Sequence, residues 1–291
     1  MSAPRLILAA NAAQKVVQES AQTDLPICPF AIAEKECIEV VAKPADVEGV
    51  SGGMVFQDPP IIFYSTTIRS RAFQRFTVAH ELGHYFVDGH WDRMGTAGMH
   101  VSRAGFGRSR DPFETEADHF AASLLMPRAH VRRLLNRAPN GLAAVRALAR
   151  DAETSLTSSA IRIAECSDEP FAMVMSQQGK IGHVFMSAAF KRLKPRSWLR
   201  KGDAVPESAT RRFSADPGRV TRSDELCVQT RMEHWFGSGD RGLDEEIIGL
   251  GSYGRTLTIL SCNGDPETNV EEENEEERLL DSWTPRHAYG R

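Results

Sequence analysis

Two short segments hold most of the residues able to do chemistry. His80-Glu81-Leu82-Gly83-His84 sets two imidazoles four positions apart, and on a helix such residues share a face. Both can then offer a nitrogen to one metal ion, and zinc suits that pair. Glu81 sits beside the same face, within reach of a water on the metal, which is the place of a general base. Some thirty positions on comes Glu114-Thr115-Glu116-Ala117-Asp118-His119. Catalytic zinc usually takes three protein ligands and keeps one position for water. Glu114 and Asp118 lie four apart, so Glu114 can bind the metal while Asp118 holds the far nitrogen of a ligating histidine. Glu116 points about 160° away from both on ideal helical geometry and reads as a solvated carboxylate. His119 is one residue off the Glu114–Asp118 face. A further donor should steady an oxyanion. Tyr64, Tyr85, His90 and His119 are the candidates, with Tyr85 reading rather as core within its apolar run.

The elements around these residues must hold them rigidly. Arg71 to about Val87 has helical spacing, and every position from Thr77 to Phe86 is uncharged except Glu81 and the two histidines. That is the texture of a helix buried on its remaining faces. Gly83 inside it costs about 1 kcal/mol relative to Ala, which predicts close packing there. A second helix runs from about Pro112 to Met126, opened by Asp111-Pro112 in the N-cap and N1 positions and closed by Pro127. Between the two, Gly95 to Arg110 reads as a long functional connection. Upstream, a first helix is predicted over residues 5–20 and a short one around Phe30 to Glu34. The strand CIEVV follows, then a loop at Gly49–Gly53 and two β segments about Asp58-Pro59-Pro60. Two or three short helices end with Ser158 to Cys166. Beyond Pro170, FAMVMS and IGHVFM read as a hairpin, and LCVQT, EEIIGLG and TLTILSC as further strands. The expected class is α+β: a mixed α/β domain over residues 1–168 and a smaller β-rich or α/β domain over 169–264.

Of 291 residues, 41% are hydrophobic and 25% charged, with a formal net charge of −4, which excludes wholesale disorder. Nine acidic residues and three Arg lie between Asp265 and Arg291. Without them the body holds 32 basic against 30 acidic residues, a net +2. Residues 265–291 therefore read as an acidic mobile tail, one that could compete for basic surfaces of the body. No apolar stretch approaches the roughly 18 residues of a membrane span. The N-terminus lacks the pattern of a secretion signal, and five scattered cysteines without a CxxC pair fit reduced thiols. A cytoplasmic location is the expectation.

FTVAHELGHYF followed by ETEADHFAASLLMP resembles the ImmA/IrrE family of bacterial zinc metallopeptidases, over roughly residues 5–166. The resemblance implies a zincin-like domain with Zn2+ on His80, His84 and Glu114, and Glu81 as general base. Asp118 stands where the family more often has Asn, and as a charged partner it would raise the basicity of its histidine. The resemblance also implies cleavage of a partner helix-turn-helix repressor in a stress, DNA-damage or phage-related response. The CapP-type branch tied to anti-phage defence, paired with CapH repressors, lies in the same family. By the same analogy the C-terminal domain would sense a signal or mediate homodimerisation.

Other signals carry two readings each. Arg69, Arg71, Arg75, Arg93, Arg103, Arg108 and Arg110 could hold a nucleic acid or an acidic peptide, or serve only as dispersed charge. The stretch from Lys191 to Lys201, with Trp198, suits single-stranded DNA as an activating ligand or a solvated linker. Cys28 or Cys37 could close the fourth zinc position, or pack as a small hydrophobe. Cys166, Cys227 and Cys262 are expected to pack in the C-terminal part. The rival to an endopeptidase is a non-proteolytic module that controls a repressor by contact alone.

Overall fold

The apolar spacing near the N-terminus closes into α1 (Leu6–Glu19), which buries Leu6, Ala9, Ala13 and Val16 along one stripe, as a 3.6-residue period requires. The computed structural model describes residues 3–43, 50–94, 98–103, 111–137, 140–237, 239 and 241–262. The tail from Asp265 lies outside them, as do Arg108 and Arg110. By contact density the chain divides into two compact units, Met1–Val131 with Leu148–Ser158, and Arg132–Ala147 with Ser159–Arg291.

In the first unit α2 (Pro29–Lys35) has Pro29 at its first turn. Next come β1 (Glu39–Lys43), β2 (Val50–Val55), β3 (Ile61–Ser65), α3 (Arg71–Phe86), α4 (His90–Met94), β4 (Met99–Arg103) and α5 (Pro112–Leu125). The sheet runs β1-β3-β2-β4, with β1 parallel to β3 and the other pairs antiparallel. Two expectations fail here. Residues 50–53, read as loop, belong to β2, because their glycines serve close packing rather than a turn. A Cβ on Gly52 would collide with the Thr77 side chain on α3, and one on Gly53 with the Phe63 ring. The connection from Gly95 to Arg110 also contains a strand, β4, on the free edge of the sheet among the described residues.

Capping fixes where the site helices begin. The Ser70 side chain accepts from Phe73 N–H at the start of α3, and Asp111 accepts from Phe113 N–H ahead of Pro112 in α5. Each such cap contributes about 1 kcal/mol. Thr77 to His84 are all buried, and at Gly83 the backbone of α3 comes close to Ala117 of α5. A Cβ there would sit 3.0 Å from Ala117 Cα. Gly83→Leu should therefore force α3 and α5 apart, costing about 1–3 kcal/mol by overpacking and weakening metal binding together with stability. Urea unfolding and zinc titration would check this, and unchanged values in both would contradict it.

Arg75, a candidate for a binding surface by its sequence position, is instead 2% exposed. Its Nη2 donates to Ile27 O (2.6 Å) and Ala152 O (3.2 Å), and Nη1 lies 3.3 Å from Glu153. It fastens chain segments and is not part of a binding surface. Arg69 and Arg71 remain exposed, while Arg93 lies over the Phe113 ring at 4.2 Å.

The helices α6 (Arg128–Leu135), α7 (Leu142–Asp151) and α8 (Leu156–Cys166) precede the second sheet. Its strands are β5 (Phe171–Gln177), β6 (Lys180–Met186), β7 (Glu225–Arg231), β8 (Gly242–Gly249) and β9 (Arg255–Ser261), in the antiparallel order β6-β5-β9-β8-β7. The short helices α9 (Ala188–Arg192), α10 (Ala209–Ser214), α11 (Pro217–Thr221) and α12 (Met232–Phe236) complete it. One core cluster gathers Val174, Phe190, Trp235, Phe236 and Leu260; a smaller one gathers Phe213, Val220 and Ile247. Trp198 packs against the first cluster, so it is half-buried core rather than an open stacking platform for bases. Cys166 and Cys262 are buried as expected. Cys227 is exposed, because β7 is an edge strand and its alternation turns that residue outward. The chain is thus α+β, with a β-sheet unit following the helix-rich one.

Candidate metal centre

Helices α3 and α5 pack side by side, and the periods of both bring their chemistry to one place. His80 Nε2 and His84 Nε2 lie 3.1 Å apart. Glu114 reaches both, with Oε2 3.5 Å from His80 Nε2 and Oε1 3.3 Å from His84 Nε2. Asp118 Oδ1 lies 2.8 Å from His80 Nδ1. A carboxylate only accepts, so His80 Nδ1 donates and its Nε2 keeps the lone pair when the ring is neutral. The outcome is a small triangle of lone-pair donors. The 3.1–3.5 Å contacts, in which each histidine meets a different oxygen of Glu114, are of the size of the roughly 3.3–3.4 Å ligand separations that follow from tetrahedral geometry and zinc–ligand bonds of about 2.0–2.1 Å. The donor set and its spacing fit a divalent cation.

A fourth donor joins this group from β4. His80, His84, His100 and Glu114 each offer an atom within 4.8 Å of the others and could hold a metal ion. His100 Nε2 lies 3.2 Å from Glu114 Oε1 and 3.2 Å from Ser102 Oγ. Sequence reasoning passed over His100 because the segment read as a connection. The signal was there in Met99-His100-Val101-Ser102, whose alternation puts His100 and Ser102 on one face and leaves Met99 and Val101 exposed on the other. Neither Cys28 nor Cys37 belongs to the donor group; Cys28 precedes α2 and Cys37 is exposed.

Glu81 is fully buried. Its Oε1 accepts from Ser102 Oγ–H at 2.5 Å, while Oε2 has no hydrogen-bond partner among the described residues. Burial pushes this carboxyl above its usual range, against the pull of His80 and His100. Around it the charges sort sharply. Burial acts against the charged form of His80, yet Asp118 and Glu114 outweigh it and raise that ring well above 6.5. His84 is pushed down to about 3, chiefly by burial. Burial acts upward on Glu114, but the imidazoles of His100, His80 and His84 gathered around it hold it far below the ordinary carboxylate range. One anion serves three imidazoles.

The other candidates fall elsewhere. Tyr64 stacks edge-on against Phe30, and Tyr85 against Trp91 and Phe86. His119 is buried in α5 and outside the donor group. His90 stands behind the triangle, its Nδ1 3.0 Å from His84 Nδ1. Glu116, expected to be solvated, is 2% exposed. The helical wheel is right about its direction, but α1 packs along that side of α5 and covers it.

Residues 33–164 match the Peptidase_M78 family, described as the IrrE N-terminal-like domain. No curated protein matches the chain significantly. A solved structure of a Mycobacterium tuberculosis transcriptional regulator is similar over 87% of this chain and 76% of that one, with a TM-score of 0.57 and 14% identity. At that identity the likeness speaks to fold alone. Among the described residues no helix is long and apolar enough to cross a membrane. Over residues 33–164 the chain is thus similar to the ImmA/IrrE family and has the zincin-like, metallopeptidase-type fold of its domain.

Proposed function

We propose that the protein is a zinc-dependent endopeptidase whose substrate is a helix-turn-helix repressor, cleaved in a stress, DNA-damage or phage-defence response in the cytoplasm. The observation that carries this reading is the triangle of His80, His84 and Glu114 with the buried carboxyl of Glu81 beside it. His80, His84 and Glu114 hold the metal. When bound, zinc lowers the pKa of water and polarises a carbonyl. Glu81 takes the proton from the attacking water at a carboxylate oxygen and delivers it to the departing amine. Ser102 fixes the orientation of Glu81 through its hydrogen bond. Asp118 keeps His80 in the tautomer that presents Nε2.

His100 supplies the remaining donor. Glu114 and Ser102, both within 3.2 Å of its Nε2, favour an N–H there, and the net pull of Glu114 and Glu81 against burial raises this ring above 6.5. That N–H steadies the oxyanion. His100→Ala should lower kcat by about 10²–10³-fold and leave zinc content unchanged. Loss of the metal in that variant would make His100 a ligand instead.

The second unit is the sensory or dimerisation module in this reading, with single-stranded DNA or another nucleic acid as a trigger and a homodimer as one functional form. The test is to incubate the zinc-loaded protein with a helix-turn-helix repressor from the same genome and analyse the mixture by intact mass. A cut repressor with wild type and none with Glu81→Gln supports the peptidase. Repression relieved without any cut product supports the alternative, a non-proteolytic module acting by contact.

A further inference from the structure

Behind His84 runs a chain of buried polar contacts that the peptidase reading does not use. His84 Nδ1 lies 3.0 Å from His90 Nδ1, and His90 Nε2 lies 3.1 Å from Glu116 Oε2. Glu116 is gripped in turn by Arg5. The backbone N–H of Arg5 donates to Oε1 at 2.9 Å, Nη2 to Oε2 at 2.9 Å, and Nε to both oxygens at 3.3 and 3.2 Å. Arg5 Nη2 also donates to Asp88 O at 2.8 Å, in the turn that leads to His90. His84 and His90 are wholly buried, while the Arg5 side chain is 42% exposed.

The order of these groups dictates where the protons sit. An ion-paired carboxylate only accepts, so Glu116 takes its hydrogen bond from His90 Nε2–H. Arg5 already balances Glu116, so a second proton on His90 would add an uncompensated buried charge. His90 Nδ1 is then a lone pair, and the one group facing it, His84 Nδ1, must donate. With its proton fixed at Nδ1, His84 presents a bare Nε2 to Glu114 and His80. Metal-ligating histidines commonly donate the second nitrogen to a carboxylate, carbonyl or water. An imidazole accepts equally well only if its own tautomer is fixed, and here Glu116 and Arg5 fix it.

We infer that Arg5, Glu116 and His90 form a positioning relay that locks His84 in its metal-binding tautomer, so that the residue ahead of α1 sets the metal affinity of the centre. This rests on the assignment of His84 as a ligand. The relay places the control outside the HExxH helix, at a half-exposed residue just ahead of α1. Detaching that residue loosens the carboxylate, frees His90 to rotate or take the other tautomer, and leaves His84 with no preference between its nitrogens.

The test has two arms. In the metal-free protein, nitrogen-15 NMR of the imidazoles should find His84 protonated at Nδ1 in wild type and in His90→Gln, whose amide can accept from His84 and donate to Glu116. It should find a mixture of tautomers in His90→Phe. In chelator competition, His90→Phe should weaken zinc binding by about 10–100-fold, His90→Gln should restore most of it, and Arg5→Ala should weaken it more than Arg5→Lys. Arg5→Ala is the variant that carries the test if His90→Phe fails to fold. Wild-type His84 protonated at Nε2 would overturn the relay, as would unchanged zinc affinity in both His90→Phe and Arg5→Ala. If wild type bound no zinc, the peptidase reading would fall, whereas the tautomers would still decide the relay.

Discussion

Glu81→Gln is expected to lower hydrolysis of a cleavable peptide by about 10²–10⁴-fold while the protein keeps its zinc. The substitution preserves shape and leaves an oxygen that can still accept from Ser102, whose hydroxyl lies 2.5 Å from Glu81 Oε1. What it removes is the capacity to take a proton. Glu81 is suited to that task because it is buried and its carboxyl is raised by that burial, which brings its proton affinity toward the working pH. It is not in the triangle of donors, so metal content should not change. A loss confined to kcat, with KM preserved, is the signature of an interaction made only in the transition state. Steady-state kinetics on a peptide cut by the wild type, with metal analysis of both proteins, checks it. Undiminished turnover in the variant would remove Glu81 from the mechanism.

The second large effect concerns Glu114. Glu114→Ala should weaken zinc binding by more than the roughly 10–100-fold that an outer partner costs, because it deletes one of three donors and the anion that all three imidazoles share. Stability reports the same loss. A ligand at about 1,000 times its Kd stabilises the folded state by about 4 kcal/mol, so zinc should raise the unfolding temperature of wild type clearly and that of the variant little. Metal-free, the variant has His80, His84 and His100 converging with no carboxylate between them, and their mutual repulsion rises wherever they protonate. Thermal unfolding with and without zinc decides the matter. An equal zinc-induced shift in both proteins would exclude Glu114 as a ligand.

Both helices of the site were legible because each carries several independent signals. For α5 these were the Asp111 cap, Pro112 at N1, the apolar period and the stop at Pro127. For α3 the uncharged surroundings of the motif foretold burial, and the cost of Gly83 foretold its contact with Ala117. The carboxylates of Glu114 and Asp118 followed from four-residue spacing. What sequence periodicity could not supply was the neighbour on each face. Glu116 does point away from Glu114, yet that direction leads to Arg5 and not to water. A helical wheel gives angles but no tertiary partner. His100 was hidden differently: five residues of an edge strand, flanked by Gly and Arg, give too little alternation to stand out from a loop. Gly52 and Gly53 misled for the opposite reason, since close packing against Thr77 and Phe63 uses the same residue as a turn. Around Trp198 the basic neighbours dominate the local composition and leave only a nucleic-acid platform or a solvated linker to choose from, while its ring lies against the core formed by Phe190 and Trp235.

The measurement that bears most directly on the metal centre is a calorimetric titration of zinc into the metal-free protein, repeated with His84→Ala. One saturable zinc site per chain in wild type, retained in Glu81→Gln and lost in His84→Ala, is the predicted result. No saturable site in wild type, or the same binding in His84→Ala, would contradict the assignment of this centre.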